Sequence, residues 1–141
     1  MASVAASDLR RCRLFDGLDD AHIGFLAEFC QHARADRGEF ILREGQREDR
    51  LFLLLDGNVS VRVGGTEIAR LFRGDFFGEM NIVDGGTCSA SVMAEGPCIL
   101  LTIDRGAIER LAESGERGAS RFLLALCSAL VERLRRMDAR W

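Results

Sequence analysis

Residues 76–92 hold the densest chemistry of the chain: Phe76-Phe77-Gly78-Glu79-Met80, then Asp84-Gly85-Gly86-Thr87-Cys88-Ser89-Ala90-Ser91-Val92. Gly78 has no side chain, so another group can approach its backbone closely. A short helix opening at Gly78 offers unpaired N–H groups at its positive end, which favours an anion. Glu79 stands at the same helix start, where the dipole favours a carboxylate. Cys88 is the nearby thiol; it reads as a small neutral filler, because the Glu79 charge opposes a reactive thiolate. The chemistry on offer is recognition of a small anion rather than bond breaking. No nucleophile–base pair is legible: His22 and His32 are isolated and no serine motif accompanies them. Phosphate loops of the G-x-G-x-x-G and G-x4-G-K-[ST] types are absent. The expectation is a non-enzyme with no catalytic residue.

The elements that must position these residues belong to a chain of 141 residues, enough for one domain around one core. A hydrophobic share of 48% and a charged share of 29% suit a soluble globular protein. The formal charge of −3 gives no electrostatic reason to expect nucleic acid. No apolar run approaches the roughly 20 residues of a membrane helix. Met1 to Ser7 lacks the charged lead and apolar region of a signal peptide, and residues 1–13 are expected to be a tail. The five cysteines (Cys12, Cys30, Cys88, Cys98, Cys127) lack the close pairing of zinc and iron–sulfur sites, so no metal is expected. An odd number of thiols without an export signal suits a reducing, cytoplasmic setting.

Asp19 is a good N-cap for a helix expected to run to about His32, with Ile23, Leu26, Ala27 and Cys30 on its buried stripe. From Gly38 the period changes to two. Residues 40–42, 51–55, 59–63, 67–71, 88–94 and 98–103 read as strands. Asp56-Gly57 and Gly64-Gly65 are hairpin dipeptides, and Gly96-Pro97 is a further turn. Asp104 caps a short helix that Gly115 and Gly118 end, and a long helix follows from about Ala119 to Arg140. The implied fold is mainly β: an antiparallel jelly roll or β-roll barrel over residues 14–118, with an N-terminal helix and a long C-terminal helix over 119–141. Leu123, Leu126, Leu130, Leu134, Met137 and Trp141 recur at coiled-coil spacing, flanked by Phe122, Leu124 and Val131. Pairing of this helix with a second copy is the favoured reading, and folding back on its own barrel is the alternative.

The stretch 77–90 resembles, in frame and in length, the phosphate-binding cassette of the cyclic-nucleotide-binding domains of catabolite activator protein type. Their pattern is F-G-E-[LM]-x7-R-[ST]-A. Gly45, Asp56-Gly57 and Gly74-Asp75-Phe76 add to the resemblance, which extends from about Leu14 to the C-terminus. It implies a stand-alone regulatory or sensor module for cyclic AMP or cyclic GMP, without a cofactor. The site it implies is Phe77, Gly78, Glu79, Met80, Cys88, Ser89 and Ala90. Glu79 would accept from the ribose 2′-hydroxyl, and Ser89 and Ala90 would meet the phosphate. Met137 and Asp138 fall where such domains place groups over the purine. In many relatives the C-terminal helix dimerises the protein and carries movement out of the ligand site. No helix-turn-helix follows here, so DNA is not an expected partner.

The chain departs from the pattern at Cys88, which stands where the family has an arginine. An Arg–phosphate pair is bidentate and charge-assisted. Losing one or two such bonds, at about 1.5–3 kcal/mol each, weakens binding by about ten- to several-hundred-fold. Glu79 would then face the phosphate uncompensated. Four readings stay open: another arginine (Arg62, Arg70 or Arg73) takes the place; the ligand is uncharged or different; the pocket is degenerate and the chain is a dimeric scaffold for a separately encoded partner; or a cyclic nucleotide binds weakly.

Overall fold

Leu51 to Leu55 form an unbroken apolar run, with no polar residue to face water. The computed structural model of the chain, which describes residues 3–84 and 86–137, explains it. Strand β3 (Arg50–Asp56) is buried on both faces. Leu51, Leu53 and Leu55 join an apolar cluster beneath the helices, while Phe52 and Leu54 join a second cluster between two sheets. A strand covered on both sides has no reason to alternate. One sheet runs β1 (Gln31–Ala35), β8 (Cys98–Asp104), β3, β6 (Phe76–Phe77). The other runs β2 (Phe40–Leu42), β7 (Ser91–Ala94), β4 (Asn58–Val63), β5 (Thr66–Phe72). The pairings are antiparallel, as expected for the β-roll.

Of the two hairpin dipeptides, one closes a hairpin. Gly64 and Gly65, at φ 57° and 82°, join the paired strands β4 and β5. Asp56-Gly57 instead carries the chain from one sheet to the other, and Gly96-Pro97 carries it back from β7 to β8. These two corners pack together: a Cβ on Gly57 would lie 2.5 Å from the Pro97 carbonyl oxygen and 2.8 Å from Cys98 Sγ.

The helical layer covers the outer face of β3 and β8. It comprises α1 (Ala6–Leu9), a 3-10 turn (Arg13–Phe15), α2 (Asp20–Ala27), α4 (Arg105–Glu113) and α5 (Arg117–Met137), while the six-residue α3 (Glu79–Asp84) belongs to the cassette. The Asp19 and Asp104 carboxylates accept from the backbone N–H groups of His22 and Ala107 at 2.9 and 2.7 Å, capping α2 and α4 as expected. Two expectations are corrected. α2 ends at Ala27, and the residues beyond it form β1, whose partly or fully buried side chains are the small Ala33 and Ala35. The segment expected as a tail is anchored: Leu9 and Cys12 are fully buried, and Arg11 Nη2 donates to the Leu55 carbonyl at 2.7 Å.

α5 folds back on its own domain over its first four turns. Ala119, Phe122 and Leu126 are buried, Phe122 stacks on Phe15 at 5.8 Å, and Leu123 and Leu130 pack partly against the same cluster. Gly118 lies inside the helix, not between helices, and sits against His22 and Phe25. Of the row expected to pair with a second copy, Leu123, Leu126 and Leu130 are used internally, Leu134 is exposed, and Trp141 and the side chain of Met137 lie outside the described residues. Leu134 also continues a second, solvent-facing row with Leu124, Cys127 and Val131.

Candidate functional site

The cassette is built onto β3. The Gly74 N–H donates to the Leu54 carbonyl at 2.8 Å and the Leu54 N–H donates to the Asp75 carbonyl at 2.9 Å. β6 then pairs with β3, and Phe77 stacks on Phe52 at 5.1 Å with the rings 3° from parallel. Gly78 follows at φ 86°, and a Cβ there would lie 2.7 Å from the Arg50 carbonyl oxygen. The close approach that demands glycine is that of β3, a correction to the expectation of a ligand. On the opposite side, Cys88 exchanges backbone bonds with the Gly45 loop: its N–H donates to Gln46 at 2.8 Å, and its carbonyl accepts from Gly45 at 2.9 Å.

These two segments enclose a cavity of about 420 Å³. Phe77, Gly78 and Glu79 line it from one side, and Cys88, Ser89 and Ala90 from the other. Met80 also lines the cavity and is half exposed, with the Ser89 hydroxyl 3.9 Å from its sulfur. Cys88 is buried in the inter-sheet cluster with Leu42, Phe77 and Val92, and the buried Asn81 donates to its Sγ at 3.3 Å. That is the filler role expected of it. Asp138 and the side chain of Met137 lie outside the described residues. A larger cleft of about 920 Å³ opens between α2 and β1, but none of the cassette residues reaches it.

Two arginines that the sequence reading missed complete the wall: Arg133 and Arg136 of α5. Glu79 is 6% exposed, and Arg133 Nη1 forms an ion pair with its Oε1. Arg133 Nη2 also donates to the Phe76 carbonyl at 2.7 Å, and its guanidinium lies 4.1 Å above the Phe76 ring. Glu79 is thus compensated, contrary to the concern raised by Cys88. None of the three nominated arginines lines this cavity. Arg62 and Arg70 cluster with Glu67 and Glu95, and the hydrogen bond from Arg70 holds the Glu67 carboxyl below its usual range. Arg73 lies with Arg11 and Arg13 at another concavity. A signal for Arg133 was present. It follows Phe122, Leu126 and Leu130 at helical spacing, so an arginine ends the stripe facing the domain, and such an arginine needs an acid there.

Residues 33–114 match the family model described as the cyclic nucleotide-binding domain. The cGMP-dependent protein kinase egl-4 of Caenorhabditis briggsae is 31% identical over 110 residues, which cover 73% of this chain and 15% of that protein. A cyclic nucleotide-binding domain from Methylobacillus flagellatus superposes with a TM-score of 0.82 at 27% identity, covering 96% of this chain and 79% of that one. The catabolite activator protein of Thermus thermophilus gives 0.80 at 29% identity, covering 90% of this chain and 60% of that one. The described residues contain no helix long and apolar enough to cross a membrane.

Proposed function

The chain belongs to the cyclic nucleotide-binding domain family, and on that premise we propose that it is a regulatory module that takes cyclic AMP or cyclic GMP into the cassette cavity and reports it through α5. One observation carries this reading: the cassette residues and the guanidinium groups of α5 converge on a single cavity. Arg133 occupies Oε1 of Glu79, and the carboxylate's second oxygen serves the ribose 2′-hydroxyl. The backbone amides of Ser89 and Ala90 meet the phosphate. Cys88 contributes no charge, so affinity lies roughly ten- to several-hundred-fold below that of the same pocket with arginine there. A ligand touching both cassette and α5 prefers one helix position, which is the requirement for a response. The solvent-facing row of α5 pairs with a second copy, and the five free thiols suit the cytoplasm.

A second reading has one observation in its favour. Glu79 and Cys88 are already satisfied, by Arg133 and Asn81, so the pocket needs no ligand to be stable. The chain is then a dimeric scaffold for a separate protein. Calorimetric titration with cyclic AMP and cyclic GMP separates the two. The sensor gives saturable heat that Glu79→Ala abolishes and Cys88→Arg strengthens at least about ten-fold. Flat titrations at millimolar nucleotide, for both the native chain and Cys88→Arg, leave the scaffold standing.

A further inference from the structure

We propose that α5 supplies the ligand-binding charge that Cys88 cannot: Arg133 neutralises Glu79, and Arg136 pairs with the phosphate of the ligand. The inference rests on the reading that the cavity takes a cyclic nucleotide. Among the described residues, the charged ones lining the cavity are one carboxylate, Glu79, and two guanidinium groups, Arg133 and Arg136. The surplus of one positive charge among these described residues matches the single negative charge of a cyclic phosphodiester.

The two arginines are held very differently. Arg133 is fixed by Glu79, the Phe76 carbonyl and the Phe76 ring, so its charge is spent and its position set. Arg136 lies one helical turn further along, on the same side of α5. Its side chain is 72% exposed and meets the equally exposed Glu132 at 3.4 Å, a contact of the kind that contributes little in water. A phosphate inside the cavity is the stronger partner, because a guanidinium can grip it with two parallel hydrogen bonds. The placement has a mechanical consequence. The family's cassette arginine sits on the barrel, whereas this charge sits on the helix that must respond. The phosphate of the ligand therefore clamps α5 to the cassette directly.

Titration of the native chain and its variants with cyclic AMP, cyclic GMP, adenosine and guanosine tests this. Arg136→Gln should lower affinity for the cyclic nucleotides about ten- to a hundred-fold and change nucleoside affinity less than about two-fold. Adding Cys88→Arg to Arg136→Gln should restore the loss. Arg133→Gln should weaken cyclic-nucleotide binding, and adding Glu79→Gln should recover part of it by removing the exposed negative charge. Circular dichroism confirms that each variant is folded. Equal cyclic-nucleotide affinity in the native chain and Arg136→Gln would overturn the inference and leave the nucleotide reading intact. Binding by Cys88→Arg with none by the native chain would overturn the inference together with the nucleotide reading of the native chain. If neither binds, the nucleotide reading fails, and the inference falls with it.

Discussion

Gly78 is constrained twice, by a positive φ and by the Arg50 carbonyl 2.7 Å from where a Cβ would stand. Gly78→Ala should therefore destabilise the domain by roughly 1–3 kcal/mol, from backbone strain alone, before any effect on a ligand. Urea denaturation of the ligand-free protein measures this; an unchanged midpoint would mean that β6 and β3 separate at little cost. The cassette was legible because its residues are nearly contiguous, so frame and spacing identify them together. Arg133 was not, because its partner Glu79 lies 54 residues away. Local pattern carries no information about which acid a distant guanidinium meets. Arg62 and Arg70 were nominated for nearness in sequence, yet β4 and β5 bring them to Glu67 and Glu95, while Ile68, Ala69 and Leu71 reach the cavity.

Among the elements, α5 divides its surface most sharply. Leu126 faces the domain and Leu130 packs partly against it, whereas Leu124, Val131 and Leu134 are exposed. Leu124, Cys127, Val131 and Leu134 follow one another at gaps of three, four and three, the spacing of a two-helix seam. Val131→Asp should convert a dimer to a monomer in light scattering with little change in unfolding temperature. An unchanged mass would remove the helix-pairing proposal. Leu130→Asp would be a poor test, since Leu130 also packs against the domain. Periodicity located this helix and its start to within two residues, but it could not say which of two overlapping apolar rows the domain would claim. β1 escaped for the opposite reason: its inward residues are alanines, too small to announce a buried face.

At the scale of the whole molecule, two apolar layers share the sheet of β3 and β8. Buried thiols make the helical layer sensitive to alkali. Burial pushes Cys12 and Cys30 from an ordinary value of 9.0 up to about 12. The folded state holds them neutral, while the unfolded chain ionises them near its ordinary thiol range. Their contribution is therefore complete below about pH 9 and is lost as pH rises toward 12. The urea midpoint should fall over that interval, and Cys12→Ala combined with Cys30→Ala should flatten the fall. An identical slope in the double variant would contradict the assignment.

β3 also has a bearing on how news of an occupant travels. Phe52 backs the floor of the cavity through Phe77, and its neighbours Leu51 and Leu53 point the other way, into the layer that holds Phe15 and Phe122. A wall shared by two rooms moves for both. Under the proposed reading, pressure on the floor would reach the root of α5 through this one strand, while the ion pair at Arg133 holds the same helix further along. Such a helix is held at two points, and a guest that shifts one relative to the other would tilt it as a lever rather than slide it.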